Sequence, residues 1–302
     1  MKIFVTGATG FVGRYITREL SQAGEEVLIV SRSLRKAKES VPWAQIVEGD
    51  PRKPGKWQDE AAKCEAAINL AGSSIFSVWT KAAREEILQS RILSTRNLVD
   101  GLNREGNCKT LLSASAIGYY GSRLDDEELS EDARPGAEFM SEVCVKWEAE
   151  AKRGEQAGMR VSQCRFGIVL GKDGGALETM LPAFRRMLGS SLGSGRQWMS
   201  WIHLRDLFSI FTFLLNNDSI SGPINCVSPN PARNREFAEA LSKALGRPIV
   251  LPGVPAFVLR TLLGEFSNVL VMGQRVVPTK LSQNGFSFQF PTLATALADL
   301  IG

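Results

Sequence analysis

The stretch FVTGATGFVGRYI, Phe4–Ile16, decides the fold. It starts within an apolar, β-branched run, residues 2–6, and ends with apolar residues that recur at helical spacing. Between these two parts lie Gly7, Gly10 and Gly13. The pattern predicts a strand, a tight turn and a helix, which is the context in which a glycine-rich loop binds a dinucleotide.

Each glycine has its own expected role in such a loop. Gly7 allows a sharp exit from the strand, Gly10 allows the backbone to approach a pyrophosphate, and Gly13 allows the helix to pack closely on the sheet. The helix N-terminus adds free N–H groups and the positive end of a dipole, and both favour an anion. The alternative is a glycine-rich turn with no ligand, which the flanking strand and helix disfavour.

The end of the next predicted strand, Glu26–Val30, indicates which dinucleotide binds. NAD-preferring sites carry an Asp or Glu there that binds the ribose hydroxyls. Here the chain continues with Ser31 and Arg32, and a hydroxyl and a guanidinium suit a 2′-phosphate that a carboxylate would repel. The sequence therefore favours NADP(H) over NAD(H). In the alternative interpretation, Arg32, Arg35 and Lys36 form a solvated turn.

Farther along the chain, apolar segments of strand length alternate with helical patterns, which predicts βαβ units and a parallel sheet. After Arg165 the pattern changes to glycine-rich loops and short helices, which predicts a second, smaller lobe. The further predicted strands are Gln45–Val47, Ala66–Leu70, Thr110–Leu112, Met159–Arg165 and Pro223–Val227. The predicted helices are Thr80–Arg104, Glu138–Gln156, Leu204–Asn216, Asn234–Leu245 and Pro255–Leu263. We expect residues 1–170, with about 203–228, to form the dinucleotide-binding domain, and residues 171–202 and 229–302 to form the smaller lobe.

The charges of the chain are nearly balanced, with 36 Lys+Arg against 32 Asp+Glu and a net charge of +4. So dilute a surplus, without a run of three basic residues, argues against a nucleic-acid-binding protein. His203 is the only histidine, so the chain cannot build a multi-histidine metal site, and we expect no metal. The five cysteines are odd in number and contain no C-x-x-C pair, which predicts reduced, mostly buried thiols.

The sequence also bears on the compartment. No apolar run reaches the roughly eighteen residues of a membrane span, so we expect none. The first predicted strand begins at Lys2 and leaves no room for a signal peptide. A cytoplasmic protein is therefore expected, and the alternative is an organellar protein whose transit peptide has been removed.

Two further segments resemble the short-chain dehydrogenase/reductase superfamily in its extended, sugar-nucleotide-epimerase-like branch. They are INLAGSSI, Ile68–Ile75, and SASAIGYYG, Ser113–Gly121. Together with four others they resemble one atypical epimerase-family subgroup that ends in a C-terminal domain of unknown function. The four are VCVKWEAEA (Val143–Ala151), RFGIVLGKDGGAL (Arg165–Leu177), GSGRQWMSWIHLRDL (Gly193–Leu207) and PTKLSQNGFSFQFP (Pro278–Pro291). The resemblance implies an α/β protein with a Rossmann-like, doubly wound parallel sheet and a smaller C-terminal α+β substrate lobe that closes over a cleft.

The resemblance also implies which residues bind NADP(H). Ser31 and Arg32 would bind the phosphate at the adenosine end, and Val169 would cover the nicotinamide side. Asp50 resembles the acidic position near the adenine, and its alternative is an ordinary turn carboxylate. The other implied cofactor residues are Gly7, Thr9, Gly10, Phe11, Val12 and Gly13 in the first loop, Leu70 and Ala71 after the fourth strand, and Glu86 and Arg91 on the following helix.

The superfamily's catalytic residues are a serine or threonine and a Tyr-x-x-x-Lys pair, in which the tyrosine is the acid and base and the lysine lowers its pKa. Here Lys146 takes the place of the lysine, but Glu142 stands where the tyrosine belongs. The alternative for Lys146 is a solvated helix cation paired with a glutamate. Ser115 lies where the serine of the fifth strand belongs, and Tyr120 on the same loop is the candidate replacement hydroxyl, unless it packs as an ordinary aromatic residue of the turn. The neighbouring hydroxyls are those of Ser113 and Tyr119.

Residues of the later segments are predicted to line the substrate cleft. Arg165 and Arg196 can each fork onto a phosphate or carboxylate, and Trp198 can stack on a ring. The alternative for these three residues is packing between the lobes. For His203 the structural interpretation is preferred, with Asp206 capping the turn, and substrate contact is the second interpretation.

These features predict an NADP(H)-binding, epimerase-like oxidoreductase that acts on an unidentified small-molecule substrate, either a carbonyl or hydroxyl compound or one like a nucleotide sugar. The alternative is a catalytically weak or inactive NADP(H)-binding regulatory protein, such as a cell-division regulator, that works through a protein partner. The absence of tyrosine from its usual position would fit that alternative.

Overall fold

Strands and helices alternate along most of the chain in the computed structural model, which describes residues 1–123 and 125–302. The strands are β1 (Lys2–Thr6), β2 (Glu26–Ser31), β3 (Gln45–Glu48), β4 (Ala66–Asn69), β5 (Thr110–Ala116), β6 (Glu128–Leu129), β7 (Arg160–Phe166), β8 (Ile168–Gly171), β9 (Trp198–Met199), β10 (Trp201–His203), β11 (Gly222–Cys226), β12 (Ala232–Arg233) and β13 (Arg275–Val276).

The helices lie between these strands and after them. They are α1 (Phe11–Gln22), α2 (Leu34–Ser40), α3 (Trp57–Ala62), α4 (Lys81–Leu102), α5 (Phe139–Lys152), α6 (Gly175–Arg185), α7 (Leu204–Leu215), α8 (Asn234–Leu245), α9 (Ala256–Leu263), α10 (Ser267–Val271), α11 (Thr279–Gln283) and α12 (Leu293–Ile301). Short 3₁₀ turns occur at Ile117–Tyr120, Arg153–Ala157 and Gly264–Phe266.

Seven of the strands form one parallel sheet in the order β11-β7-β5-β4-β1-β2-β3. The chain runs from β1 outward through β2 to β3, crosses back to β4, and continues through β5 and β7 to β11. The strand order therefore reverses between β1 and β4, and the carboxyl ends of these two strands open a crevice where sheets of this kind bind ligands. The predicted α/β, doubly wound, Rossmann-like fold is confirmed.

Helices cover both faces of the sheet, because successive side chains of a strand point to opposite faces. On one face, Ile3 and Val5 of β1 pack in a core with α1 and α7. On the other face, Phe4 packs with α3, α4 and α5, and its ring stacks on Trp57 at 5.9 Å between centroids. Burial on both sides explains why β1 is a continuous apolar run rather than an alternating pattern.

Strand β5 is longer than the sequence predicts. The expected strand Thr110–Leu112 continues to Ala116 through alternating serine and alanine, which carry little apolar signal. Pairing with β4 and β7 on both sides extends the strand, and polar partners satisfy the buried serine hydroxyls. Ser113 Oγ accepts a hydrogen bond from Asn69, and Ser115 Oγ donates one to Glu148. Burial by neighbouring elements, rather than local pattern, therefore determines the end of β5.

A second core lies outside the main sheet, where α6, α8 and α12 meet around Leu177, Phe237 and Leu297. Short strand pairs connect distant parts of the chain around this core. Strand β8 pairs with β10 and β6 pairs with β13, both in parallel, and β9 pairs antiparallel with β12. These pairs place the segments after Arg165 beside the carboxyl edge of the sheet, where the crevice opens.

Within the described residues, no helix combines the length and the apolar character that crossing a membrane requires. The five cysteines, Cys64, Cys108, Cys144, Cys164 and Cys226, are buried and, among the described residues, unpaired. The predicted burial of the thiols is therefore confirmed.

Candidate functional site

The β1–α1 loop lies at the crevice, and its glycines keep the backbone close to its neighbours. Gly7 has a φ of +70°, which L side chains rarely adopt, and a Cβ there would lie 2.5 Å from the Leu70 carbonyl. A Cβ on Gly13 would overlap with Gly7 O, so the helix start packs directly on the loop. For a Cβ on Gly10, the one described atom within 4 Å is Gly7 O at 3.3 Å, which is a much looser contact than those at Gly7 and Gly13.

The start of α1 offers backbone donors to an anion. Gly10 precedes the helix and has no side chain that could cap it, and residues 11–14 contain no acidic group. The first N–H groups of an α-helix have no acceptor within the helix, and its dipole makes this end positive. Thr9 and Gly10 are exposed, and Phe11 and Val12 are half-buried. The loop therefore fits a pyrophosphate, as its sequence predicts.

The end of β2 presents a free guanidinium. Arg32 is exposed and, among the residues that the structure describes, forms no ion pair, whereas Arg35 pairs with Glu39. Ser31 Oγ donates to Ser33 O at 3.2 Å, which fixes the turn that leads into α2. Arg32 is therefore available to a phosphate beside the crevice.

A network of charged side chains lies next to Arg32, and the sequence did not predict these contacts. Arg52 Nη2 lies 3.3 Å from Asp50 Oδ2, and Arg52 Nη1 lies 3.2 Å from Glu86 Oε1. Ser73 Oγ also donates to Glu86 Oε1, at 2.7 Å. Burial disfavours ionisation of Asp50, but the hydrogen bonds from Arg52 outweigh it, with Arg32 adding to them, so the pKa of Asp50 lies below its ordinary value.

Arg91 on α4 brings a second guanidinium to the opposite wall of the crevice. Its Nη1 donates to Ser73 O and to Ile87 O, both at 3.0 Å, and its guanidinium lies 5.1 Å from the centre of the Trp147 ring. Burial lowers the pKa of Arg91. Within residues 1–123 and 125–302, no carboxylate pairs with it, so its charge is available to an anionic ligand.

The loop after β8 packs over the start of α1. Added Cβ atoms on Gly171 and Gly175 would lie 2.6 and 2.8 Å from atoms of the Phe11 ring, so only glycine backbone fits around this ring. Val169, in β8, is half-buried and packs against the same core as Phe11. The contact places β8 beside the predicted cofactor loop. On the other side of the loop, Leu70 and Ala71 follow β4 directly, and Leu70 contacts Gly7.

Ser115 and Tyr120 belong to one buried polar network at the carboxyl ends of β5, β7 and β11. Ser115 Oγ donates to Glu148 Oε1 at 2.6 Å, and Arg165 binds both oxygens of Glu148, at 2.8 and 2.9 Å. Arg165 Nη1 also donates to the Tyr120 hydroxyl at 2.9 Å, and that hydroxyl donates to Asn225 Oδ1 at 2.6 Å. The network joins three adjacent strands and α5.

The network constrains the chemistry of its tyrosine. Tyr120 is 1% exposed, and burial raises its pKa to about 12, although Arg165 opposes the shift. Burial disfavours the charged form of Arg165, but Glu148 outweighs it and raises the pKa of Arg165. Tyr119 differs from Tyr120, because the Arg165 guanidinium lies 3.5 Å from the centre of its ring, and its hydroxyl makes no hydrogen bond to a described residue.

Lys146 lies apart from this network. Its Nζ is 2.6 Å from Glu142 Oε1, and both side chains are about half exposed, at 50% and 53%. The i,i+4 pair considered as an alternative for Lys146 thus forms on the surface of α5. The structure joins Ser115 and Tyr120 through Arg165 and Glu148, but it does not bring Lys146 to them, so a catalytic role for the three together stays a prediction.

An aromatic cluster lies near Glu142, where the β4–α4 loop meets the C-terminal segment. Phe266 contacts Phe76 and Trp79 edge to face, with centroids 5.6 and 6.0 Å apart. Arg84 Nη1 lies 2.9 Å from Glu265 Oε2 and reinforces this contact. Trp79, Arg84, Glu142 and Glu265, together with Phe139, line an open cleft of about 410 Å³.

The predicted substrate residues lie in different surroundings. Trp198 is half-buried, its ring centre lies 3.8 Å from the Arg233 guanidinium and 5.0 Å from that of Arg275, and its Nε1 donates to Asp125 O. Arg196 is exposed, and its carbonyl accepts a hydrogen bond from Arg233. The guanidinium groups beside the Trp198 ring are thus the chain's own, and substrate contact by Arg196 and Trp198 stays a prediction.

His203 joins β10 to α7 and is 1% exposed. Its Nδ1 accepts from Arg205 N at 3.1 Å, its Nε2 lies 3.4 Å from Asp299 Oδ2, and its ring stacks on Phe290 at 3.9 Å between centroids. Burial lowers the pKa of His203 to about 4, although Asp299 opposes the shift. These contacts favour the structural interpretation of His203. The prediction that Asp206 caps the turn is wrong, because His203 itself caps α7. The Asp206 carboxylate instead accepts from Gln289 N and Phe290 N and so holds the C-terminal segment.

Two family models match the chain. The first, described as the NAD dependent epimerase/dehydratase family, matches residues 3–226, and the second, described as a domain of unknown function (DUF1731), matches residues 254–300. Apart from one residue at an end, the first match covers the parallel sheet and the second covers α9 to α12.

Relatives match over nearly their full length. An "Epimerase family protein SDR39U1 homolog, chloroplastic" of Arabidopsis thaliana is 38% identical over 300 residues, which cover 98% of this chain and 86% of that protein. The "Epimerase family protein YfhF" of Bacillus subtilis is 37% identical over 306 residues, covering 100% and 98%. A crystal structure of human epimerase family protein SDR39U1 (isoform 2) with NADPH is 32% identical, with a TM-score of 0.86 and coverage of 100% of this chain and 99% of that one.

Proposed function

The chain belongs to the NAD-dependent epimerase/dehydratase family, and on that premise we propose that it binds NADP(H) and acts as an oxidoreductase on a small carbonyl or hydroxyl compound. The observation that carries the proposal is Arg32, exposed and free of a carboxylate partner among the described residues, at the strand end where NAD sites carry a carboxylate. The human relative solved with NADPH supports the same choice of cofactor.

The other predicted cofactor residues would bind the rest of the dinucleotide along the crevice. The loop from Gly7 to Gly13 would hold the pyrophosphate, Arg91 would add a positive charge from α4, and Val169 would lie toward the nicotinamide. Because α6, α8 and α12 have a core of their own beyond the sheet, we also propose the two-lobe division predicted from the sequence. The buried thiols support a reducing compartment, either the cytoplasm or an organelle.

The chain must exchange a proton with the substrate oxygen while a hydride moves. When bound, the nicotinamide supplies or accepts that hydride. We propose Tyr119 as the proton-exchanging group, because its hydroxyl makes no hydrogen bond to a described residue, whereas the Tyr120 hydroxyl is hydrogen-bonded to Arg165 and Asn225. Tyr120, through its hydroxyl, would help to hold the Arg165 guanidinium against the Tyr119 ring.

Cofactor binding tests the first part of the proposal. Titration of the purified protein, followed by nicotinamide fluorescence, should give an NADPH dissociation constant at least about tenfold below that of NADH, since one charged contact to the 2′-phosphate contributes about 1.5 to 3 kcal/mol. Arg32→Gln should remove most of this difference. Arg35→Gln is the matched control, because Arg35 pairs with Glu39 and should leave the ratio unchanged. Equal affinity of the unmodified protein for the two cofactors would contradict the proposal.

Turnover tests the second part. A screen of small carbonyl compounds, with NADPH oxidation as the signal, should identify a substrate, and Tyr119→Phe should then lower kcat about a hundredfold or more with little change in stability. Tyr120→Phe should instead lower the free energy of unfolding by about 1 to 3 kcal/mol, because it leaves buried Asn225 and Arg165 groups without a partner. Tight NADPH binding with no turnover of any compound would favour the regulatory alternative.

A further inference from the structure

We infer that Arg52 determines the preference for a 2′-phosphorylated dinucleotide, by neutralising two carboxylates, those of Asp50 and Glu86, that face the adenosine end of the crevice. The inference rests on the proposed NADP(H) binding and adds a specificity-determining residue to it. Arg52 is not itself required to touch the cofactor.

The network lies beside the predicted phosphate position. Ser31 and Glu48 are paired in register, and Gly49 N donates to Ser31 O at 3.0 Å, so the turn that carries Asp50 is fixed to the end of β2. Arg32 follows Ser31 directly, and its charge acts on the Asp50 carboxylate. A phosphate bound by Arg32 would therefore lie within the electrostatic field of Asp50.

Arg52 connects this turn to the other side of the crevice. Its Nε and Nη2 bond to the two oxygens of Asp50 at 3.4 and 3.3 Å, and its Nη1 bonds to Glu86 on α4 at 3.2 Å. The opposite ends of a planar guanidinium can bind two carboxylates in this way, which an ammonium cannot reproduce. Glu86 also accepts from Ser73 Oγ, so its carboxylate is held in place from two sides.

Arg52 affects cofactor preference through the net charge of the group that it forms with Asp50, Glu86 and Arg32. Asp50 and Glu86 carry two negative charges, and Arg52 and Arg32 carry two positive ones, so the group is neutral and Arg32 is free to attract a phosphate. Without Arg52, the group has a net charge of −1. Its released carboxylates would repel a 2′-phosphate and could accept hydrogen bonds from unphosphorylated ribose, as the acidic residue of an NAD site does.

A merely structural role for Arg52 predicts a different result. If the residue only fastened the Asp50 turn to α4, its loss would weaken NADPH and NADH binding by the same factor. A charge-neutralising role changes the ratio of the two dissociation constants, and removing the carboxylates as well as the arginine should restore that ratio. The ratio therefore separates the two roles.

The test measures both dissociation constants by nicotinamide fluorescence, at low and high salt, for the full chain and its variants. Arg52→Gln should weaken NADPH binding about tenfold and NADH binding less than threefold, with the loss reduced at high salt because the carboxylates are partly exposed. Combining Arg52→Gln with Asp50→Asn and Glu86→Gln should restore the ratio to within about threefold of the unmodified protein. Arg104→Gln is the matched control, since Arg104 also joins two elements through Asp59 and Gln58, but follows the other end of α4.

Three outcomes would overturn the inference: an unchanged ratio in Arg52→Gln, an equal weakening of both cofactors, or a triple variant that does not recover. If Arg52→Gln does not fold, Asp50→Asn with Glu86→Gln in the presence of Arg52 provides the test, and the NADPH preference should then hold or increase; a decrease would contradict the inference. Failure of the proposed function is distinguishable, because the unmodified protein would then lack any preference for NADPH.

Discussion

Gly10 and Gly13 stand in the same loop but differ in the space around them. An added Cβ on Gly13 would overlap with the loop backbone, whereas one on Gly10 would meet a single described atom within 4 Å, Gly7 O at 3.3 Å. Gly13→Ala should therefore lower the free energy of unfolding by about 1 to 3 kcal/mol, because a methyl group forces the helix away from the loop. Gly10→Ala should change stability by less than about 1 kcal/mol, yet weaken NADPH binding at least about tenfold, since the methyl group occupies the expected position of the pyrophosphate.

Urea unfolding and fluorescence titration of the two variants check this pair. If Gly10→Ala bound NADPH as well as the unmodified protein, the crevice beside α1 would not be the pyrophosphate site. If the free energy of unfolding fell equally in the two variants, the different packing around Gly10 and Gly13 would have no effect on stability.

At the residue scale, the sequence predicted the strand, turn and helix around the glycine-rich loop well and the charged network poorly. The spacing of the three glycines is local, and Gly7 and Gly13 each meet a local steric demand. Arg52 carries no such signal, because D-P-R resembles an ordinary turn and its partner Glu86 is 34 residues away. Likewise, nothing local shows that Tyr120 turns into a buried network while the ring of Tyr119 lies beneath Arg165. Contacts between residues far apart in the sequence determine both the charged network and the different surroundings of the two tyrosines.

At the element scale, apolar periodicity predicted most boundaries within two residues. Helix α8 forms over the predicted range Asn234–Leu245, because its apolar residues recur on one buried face and the glycine after it ends the helix. Strand β5 exceeds its prediction because its serines are satisfied by other elements. The helix predicted over Glu138–Gln156 divides into α5 and a 3₁₀ turn at Arg153–Ala157, a difference that periodicity does not resolve.

The junction of β10 and α7 should make the stability of the protein pH-dependent. The pKa of His203 is about 4 in the folded state and about 6.5 in an unfolded chain. Between these values the unfolded chain binds a proton that the folded chain does not, so the free energy of unfolding falls as the pH is lowered from about 6.5 toward 4. The contribution is about 2 to 3 kcal/mol over this range.

His203→Asn isolates this effect. The asparagine side-chain oxygen can still accept from Arg205 N, but it does not titrate. Urea unfolding at pH 7, 5.5 and 4.5 should show a smaller loss of stability for the variant, and the carboxylates titrate in both proteins, so they cancel in the comparison. Parallel pH profiles for the two proteins would exclude a contribution from His203.

At the scale of the whole molecule, Phe266 packs the C-terminal segment against the β4–α4 loop. It is 6% exposed and contacts Phe76 and Trp79. Phe266→Ala should lower the free energy of unfolding by about 3 to 5 kcal/mol, as the loss of a large buried aromatic side chain does. Glu265→Gln is the control, because its pair with Arg84 is partly exposed and should contribute less than about 1 kcal/mol. Similar losses in the two variants, measured by urea unfolding, would contradict this account.

The pairing of β6 with β13 has a consequence for the synthesis of the chain. Among the described residues, Glu128 and Leu129 pair in parallel with Arg275 and Val276, about 150 residues later. At about 5 to 20 residues per second, a ribosome needs roughly 10 to 30 s to supply them. Once Cys226 has been added, late in that interval, the nascent chain contains every strand of the main sheet, while the segment around Glu128 still lacks its strand partner. We therefore expect the segment around Glu128 to stay unpaired after the main sheet has formed. At this stage β6 could pair with the β13 strand of a neighbouring nascent chain instead of its own.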